Sequence, residues 1–277
     1  MLSLESHHIV DLYVWVDDLL GSKHTPHPQG GRPSLLKSSE LVTLLVWNTL
    51  VLRQKTLRDL HEFARLYLKC EFPHLPKYSG FIDHCHRVTP LMFELLSRIL
   101  CDGEALRFMD STMLPVSTLE RSNYHKVAKN IAAYGKNHQG WHYGFKLHAA
   151  ITSAGSLCSI ALTPANIHDA QMMPHILNAH TKIAVGDSHY GASVMGRIIW
   201  EKYGTIILAP PHYKQKRKIM SPWQHALLSH RSKIEAVFDI LKNHLHLVSS
   251  FPRSVFGYLT HYVRILLGYQ ILALATL

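Results

Sequence analysis

Two aspartates in this chain stand directly after apolar runs with strand character: Asp110 follows Leu106–Met109, and Asp187 follows Ile183–Gly186. In α/β proteins the carboxyl ends of strands are where binding and reacting groups collect, because the sheet holds them while the loops vary. A third carboxylate, Glu235, lies on a helical stripe with Ile234, Val237, Phe238, Leu241 and Leu245. Carboxylates brought from two strand ends and one helix can converge on a pair of hard divalent cations, which take oxygen ligands and leave positions open for water and phosphate. Each residue also has a plainer use. An aspartate after a strand is a common turn former or helix cap, and Glu235 can pair with Arg231 one helical turn away.

The elements that must position these residues change character near residue 100. Residues 1–101 read as a helical region, with a helix start at Ser38-Ser39-Glu40 and an apolar run to Leu52. A second helix covers Thr56–Cys70 and a third Thr89–Cys101, with the proline-bearing stretch Phe72–Ser79 between them. Residues 102–277 read as α/β. Ala105–Asp110 is a short strand, and Trp141–Thr152 alternates strictly between apolar and polar positions, a half-buried strand. Gly155 turns it into an antiparallel partner, Leu157–Leu162. Then follow a helix Asp169–His180, a strand Lys182–Val185, a helix Ala192–Tyr203, a strand Thr205–Ala209, and one long helix over about Pro222–Leu247. The expected fold is a mixed sheet flanked by helices on both faces, preceded by a helical N-terminal region.

Charge points to the partner. With 29 basic and 19 acidic residues in 277, the chain carries +10 with histidines neutral, and six of those charges fall between residues 201 and 253. That balance favours a polyanion. Four scattered cysteines do not make a disulfide framework, so a reducing, cytoplasmic setting is expected. No apolar run is long enough to span a bilayer, and the N-terminus lacks the pattern of an export signal. The 22 histidines do not give a zinc reading. Cys70, His74, His84, Cys85 and His86 match no finger or ribbon spacing.

Five blocks, in order, carry a family resemblance: Asp110-Ser-Thr-Met-Leu-Pro-Val, Gly140-Trp-His-Tyr-Gly-Phe-Lys-Leu-His148, Leu162-Thr-Pro-Ala-Asn166-Ile-His-Asp169, Val185-Gly-Asp187-Ser-His-Tyr190, and His230-Arg-Ser-Lys-Ile-Glu235 followed by Leu241-Lys-Asn243. Together they resemble bacterial insertion-sequence transposases with an Asp-Asp-Glu triad, most closely the insertion sequence 982 family. The likeness extends over about Ser34–Tyr269. It implies a ribonuclease H-like core in which Asp110, Asp187 and Glu235 bind two magnesium ions, with manganese as a substitute, for phosphodiester cleavage and strand transfer. It also implies phosphate contacts from Arg231 and Lys242. The partners it implies are double-stranded DNA with terminal inverted repeats and a second copy of the chain, in a homodimer or higher multimer. Where the family usually has Lys-Gly-Tyr after the second aspartate, this chain has Ser188-His189-Tyr190, so either His189 or another base takes over a lysine's phosphate contact or this copy is weakened. Two alternatives stand beside this reading: a ribonuclease H-fold nuclease that cuts without joining, and a catalytically inactive DNA-binding protein derived from a transposase.

Further DNA contacts are expected from the loop cations Lys214, Lys216, Arg217 and Lys218, bracketed by Tyr213 and Trp223, and from Lys146 if its strand face looks toward the site. Asn166, Asp169 and His189 are possible accessory residues. The helices of the N-terminal region, with Arg53, Lys55 and Arg58 between two of them, suit recognition of DNA ends or dimerisation.

Overall fold

The structure is a computed structural model that describes residues 9–21, 34–137, 139–191, 194–211, 219–248 and 252–275. Its contacts group the chain into two compact units, one made of Met1–Ile99 with Leu241–Leu277, the other of Leu100–Ile240.

The first unit is helical. It contains α1 (Ile9–Leu20), α2 (Ser38–Trp47) with a π-helical turn Asn48–Leu52, α3 (Leu57–Tyr67) and α4 (Tyr78–Ile99). Glu40 caps α2 by accepting from the Lys37 backbone N–H at 2.6 Å, and Thr56 caps α3 by accepting from the Asp59 N–H at 3.1 Å. The helix expected from Thr89 begins eleven residues earlier and runs through Pro90, whose missing N–H does not end it. The last helix of the chain, α10 (Val255–Ala275), also belongs to this unit and is buried along most of its length. The sequence reading attached it to the α/β region. Its polar groups show why it sits among helices: Thr260 and Thr89 hydroxyls meet at 2.7 Å, the Gln270 amide donates to the Ile99 carbonyl at 2.8 Å, and Gly268 lets Thr49 approach closer than any Cβ would allow.

Buried His261 on α10 carries a testable consequence. Its Nε2 lies 3.1 and 3.2 Å from the carbonyls of His246 and Leu247, and the Arg264 guanidinium donates to its Nδ1 at 3.1 Å. That pattern requires the neutral ring with the proton on Nε2. Burial, then Arg264, push its pKa down to about 3. A histidine depressed in this way contributes stability that is present above its unfolded pKa near 6.5 and lost as pH falls from there toward the folded value, at up to ~1.4 kcal/mol per pH unit. His84, lowered to about 4 chiefly by burial, acts in the same direction. Urea unfolding between pH 6 and 4 should therefore show wild type losing about 1 kcal/mol per pH unit more than His261→Gln. Parallel losses would mean that the ring is not held neutral.

The second unit is the α/β one. In chain order it contains β1 (Leu106–Ser117), a single helical turn α5 (Leu119–Ser122), β2 (Ala133–Asn137), β3 (Gly140–Ile151), β4 (Leu157–Pro164), a 3-10 turn Asp169–Met172, α6 (Met173–Ile176), β5 (Ile183–Val185), α7 (Val194–Tyr203), β6 (Ile206–Leu208), α8 (Pro222–Ser229) and α9 (Ser232–Asp239). The strands form one six-stranded mixed sheet in the order β2-β3-β1-β5-β6, with β4 also pairing β3. The β1, β2, β3 and β4 pairings are antiparallel, while β1–β5 and β5–β6 are parallel. One face carries Met109 and Ala150, packed with Ala170, Met173, Ile176 and Leu177 from the 3-10 turn and α6 and with Ile199 of α7. On the other side α9 packs against β1.

Three expectations are corrected here. The helix expected over Asp169–His180 is only the 3-10 turn and α6, because Pro174 opens α6 and the chain is extended by Leu177. The long helix over Pro222–Leu247 is α8, a break at His230–Arg231, α9, and a π-helical turn Ile240–His244. Finally, β1 does not stop at Asp110 but continues to Ser117.

Candidate active site

Asp110 therefore lies in the middle of a strand. What ends beside it is β5, the parallel neighbour: Leu106, Arg107 and Phe108 stand opposite Ile183, Ala184 and Val185. Carrying that register two residues further sets Asp110 beside Asp187. Gly186, just before Asp187, is required by a close approach, since a Cβ there would lie 2.7 Å from the Tyr190 ring and 3.1 Å from the Met109 methyl. Tyr190 is fully buried against it, and the turn is closed by the Tyr190 N–H donating to the Asp187 carbonyl at 3.1 Å.

Each of these carboxylates has a basic neighbour. Arg231, at the break before α9, places its guanidinium 2.6 Å from Glu235 Oε1 and 3.8 Å from Asp110 Oδ2. His189 donates through both its backbone N–H (2.9 Å) and its Nδ1 (2.7 Å) to the Asp187 carboxylate, which raises the imidazole pKa. Asp110 is different in kind. Burial pushes its carboxyl up to about 6, and the charges of Asp187 and Asp169 act in the same direction, against the Ser111 N–H it accepts at 2.8 Å and the attraction of Arg231. A largely buried carboxyl beside two other acids, with the Arg231 guanidinium no nearer than 3.8 Å, is an environment whose repulsion a divalent cation would relieve.

Asp169 is reached from the sheet. Its Oδ1 accepts from Ser111 Oγ at 2.7 Å and from Lys146 Nζ at 3.0 Å, while Lys146 also donates to the Ile167 carbonyl at 2.8 Å. Lys146, expected to contact DNA if its strand face looks toward the site, is only 8% exposed, and its ammonium is committed to an internal ion pair with Asp169. His148, fully buried on the same strand face, reaches Thr163 Oγ1 at 2.9 Å, and burial lowers its pKa. Sequence reasoning did not single out Ser111 or His148. The alternation along β3 marked their face as polar, and nothing in the alternation tells that both faces of that strand are covered.

The other expected residues are distributed as follows. Glu235 is half exposed and turned to Arg231, whose other terminal nitrogen lies 3.8 Å from Asp110. Asn166 is exposed in the turn after β4, and Trp223 is half exposed on α8. Lys242 falls on the π-helical turn, in the first unit, partly buried and with its pKa lowered by that burial. Tyr213, Lys214, Lys216, Arg217 and Lys218 lie outside the described residues. Among the described residues no three His, Cys, Asp or Glu side chains stand together as a ready metal-holding group. The donor chemistry of Asp110 on β1 and Asp187 in the turn after β5, carboxylate oxygens from neighbouring segments, nonetheless fits a hard divalent cation, whose charge would relieve the repulsion at Asp110.

A family model described as the transposase DDE domain matches residues 100–255, more than half of the chain. The chain belongs to the DDE transposase family. The curled mixed sheet flanked by helices is the ribonuclease H-like fold of DDE transposase domains. The match begins where the α/β unit begins and includes Asp110, Asp187 and Glu235. The transposase is thus an enzyme-class protein acting on DNA, and no described helix is long and apolar enough to cross a membrane.

Proposed function

We propose that this transposase, of the insertion sequence 982 type, cuts DNA at the ends of its element and joins the freed ends to a target. Asp110 and Asp187 hold magnesium, or manganese in its place, and Glu235 completes the set from α9. A divalent cation held by these carboxylates would supply Lewis-acid polarisation of phosphate oxygens and activation of water or a 3′-hydroxyl for in-line displacement. The protein's own residues then have separable tasks. Asp110 and Asp187 set the position of the scissile phosphate, and the Ser111 N–H fixes the Asp110 carboxylate in one orientation. Arg231, already poised between Glu235 and Asp110, contacts a DNA phosphate, and His189 supplies positive charge where relatives have lysine. Lys242 and the cations at 214–218 extend the phosphate contacts. The helical N-terminal region recognises the element ends or joins two copies of the chain, since both ends must be held at once.

The observation that supports this reading most is the Asp110 carboxyl held back from ionising by burial and by its acidic neighbours Asp187 and Asp169, with Asp187 two residues past the end of parallel β5. The test is incubation of the full chain, with magnesium or manganese, on a duplex ending in the element's terminal inverted repeat plus a target plasmid. Joined products are expected. Cuts without joining would make the protein a nuclease, and retention without cutting would make it an inactive DNA-binding relative.

A further inference from the structure

The open end of the sheet, away from Asp110, carries a surface that the reading above does not use. Between Thr118 and Trp141 the chain has four cations, Arg121, Lys126, Lys129 and Lys136, and a single acid, Glu120. All four cations are exposed. So are three aromatic rings of the same stretch: Tyr124 at 83%, Trp141 at 55% and Tyr134 at 42%. Exposed rings interleaved with cations are a composition that a soluble surface does not need and that a nucleic acid uses, phosphate against the charges and sugar or base faces against the rings.

This surface is built rigidly. The segment after β1 is pinned to the β2–β3 hairpin by Tyr134, whose hydroxyl donates to Asn123 Oδ1 at 3.1 Å and lies 2.7 Å from Ser122 Oγ. Tyr143 continues the anchoring, its ring 4.9 Å from that of Tyr134 and 6.0 Å from that of His125. Lys136 stands opposite Trp141 in the hairpin register, with its ammonium 5.9 Å from the indole centroid. The ring thus holds the charge in place without neutralising it.

Register relates the surface to the reaction centre. Asp110 is paired with Ala149 across β1 and β3, and side chains two apart on a strand share a face. Trp141 is eight residues before Ala149 on the uninterrupted strand β3, so Trp141, its partner Lys136, and the Tyr134–Tyr143 pair all lie on the Asp110 side of the sheet. At about 3.3 Å per residue the separation is at most roughly 26 Å. Duplex DNA rises about 3.4 Å per base pair, so the same distance is about eight base pairs.

We propose that the hairpin β2–β3 and the segment packed on it form a second DNA contact, which grips the backbone of the duplex about eight base pairs from the phosphate being cut. The proposal rests on the reading of Asp110 and Asp187 as the reaction centre. The contact is to phosphates and is independent of sequence.

The test uses the full chain, Lys126→Gln/Lys129→Gln/Lys136→Gln as variant, Arg197→Gln/Lys202→Gln on α7 as a charge control, and fluorescent duplexes of arbitrary sequence 6 and 16 base pairs long. Thermal midpoints of all three proteins should agree, because every altered side chain is exposed. On 16 base pairs the wild-type slope of log K against log[salt] should be steeper than on 6. In the variant the slope on 16 base pairs should fall by about 2 to 3, and affinity in 0.15 M salt by about tenfold to a hundredfold. The control should keep the wild-type slope. A variant slope that lengthens with the duplex as in wild type, or an equal flattening in the control, overturns the proposal. Joining and cutting assays on the same preparations separate the two readings. Loss of the length effect in a protein that still cuts removes only the surface, whereas a wild type that never cuts but keeps the effect leaves the hairpin as a DNA contact and removes the catalytic reading together with the eight-base-pair spacing.

Discussion

Asp110→Asn is expected to lower DNA cutting by at least ~10³-fold while leaving the protein folded and, without metal, more stable. The amide keeps the shape of the side chain and can still accept the Ser111 N–H, but it has no charge to offer a divalent cation. DNA binding should hold or strengthen slightly, since a negative charge beside phosphate is gone. The gain in stability follows from the sign of the pKa shift. A carboxyl raised to about 6 in the fold and near 4 when unfolded contributes stability that is fully present below pH 4 and lost as pH rises through 6. At neutral pH that loss, discounted for the residual exposure of the group, is about 1–2 kcal/mol. Chemical unfolding in EDTA should show Asp110→Asn more stable than wild type at pH 7 and equal to it near pH 4. A variant that binds DNA poorly and melts early would make Asp110 a structural residue.

The second large effect is on stability alone and concerns Arg107, three residues before Asp110 on β1. This side chain is 1% exposed. Its guanidinium donates to four acceptors: the carbonyls of Glu104 (3.2 Å), Ile176 (3.2 Å) and Asp102, and the Asn178 side chain (2.9 Å). The planar five-donor fork is what allows one group to tie the start of β1 to the segment after α6, and burial lowers its pKa. Arg107→Met should therefore cost about 2–4 kcal/mol, because four hydrogen bonds from a charged donor are lost while the aliphatic stem is retained, and the Ile176, Asp102 and Asn178 oxygens each keep a second donor. Arg107→Lys should recover only part of the loss, since an ammonium cannot reach all four at once. Denaturation curves decide it: a cost below about 1 kcal/mol for the Met variant would mean that water replaces the guanidinium.

How far the sequence spoke for the fold depends on the element. β3 and β4 were legible because strict alternation and Gly155, at φ 99°, are direct backbone signals. β2 was not. Ala133-Tyr-Gly-Lys-Asn137 has no apolar alternation, and Gly135 reads as a turn, although it is there because a Cβ would lie 2.3 Å from the Ala165 carbonyl oxygen. The continuation of β1 was hidden by Pro115, which reads as a breaker and in fact sits beside a register irregularity opposite Gly144. For the site, two apolar runs each ending in Asp pointed to Asp110 and Asp187, since parallel neighbours share a register. The orientation of Glu235 could not be read. Its four-residue spacing from Arg231 permitted the ion pair now seen, and only tertiary structure decides whether a helix keeps such a local pair.

The helical unit is assembled from both ends of the chain, with α10 closing over α4 and the π-helical turn after α2. During synthesis the first helices emerge well before their last partner. At ribosomal speeds of about 5–20 residues per second, close to 180 residues and roughly 10–35 s separate the end of α4 from the end of α10. The α/β unit is contiguous and has all its own residues available in that interval, so it can fold while Leu41, Leu44 and Leu45 still lack their cover. Ribosome stalling or premature termination after residue 240 would thus release a protein with a complete sheet and an open, apolar helical half, a natural substrate for chaperones and proteases.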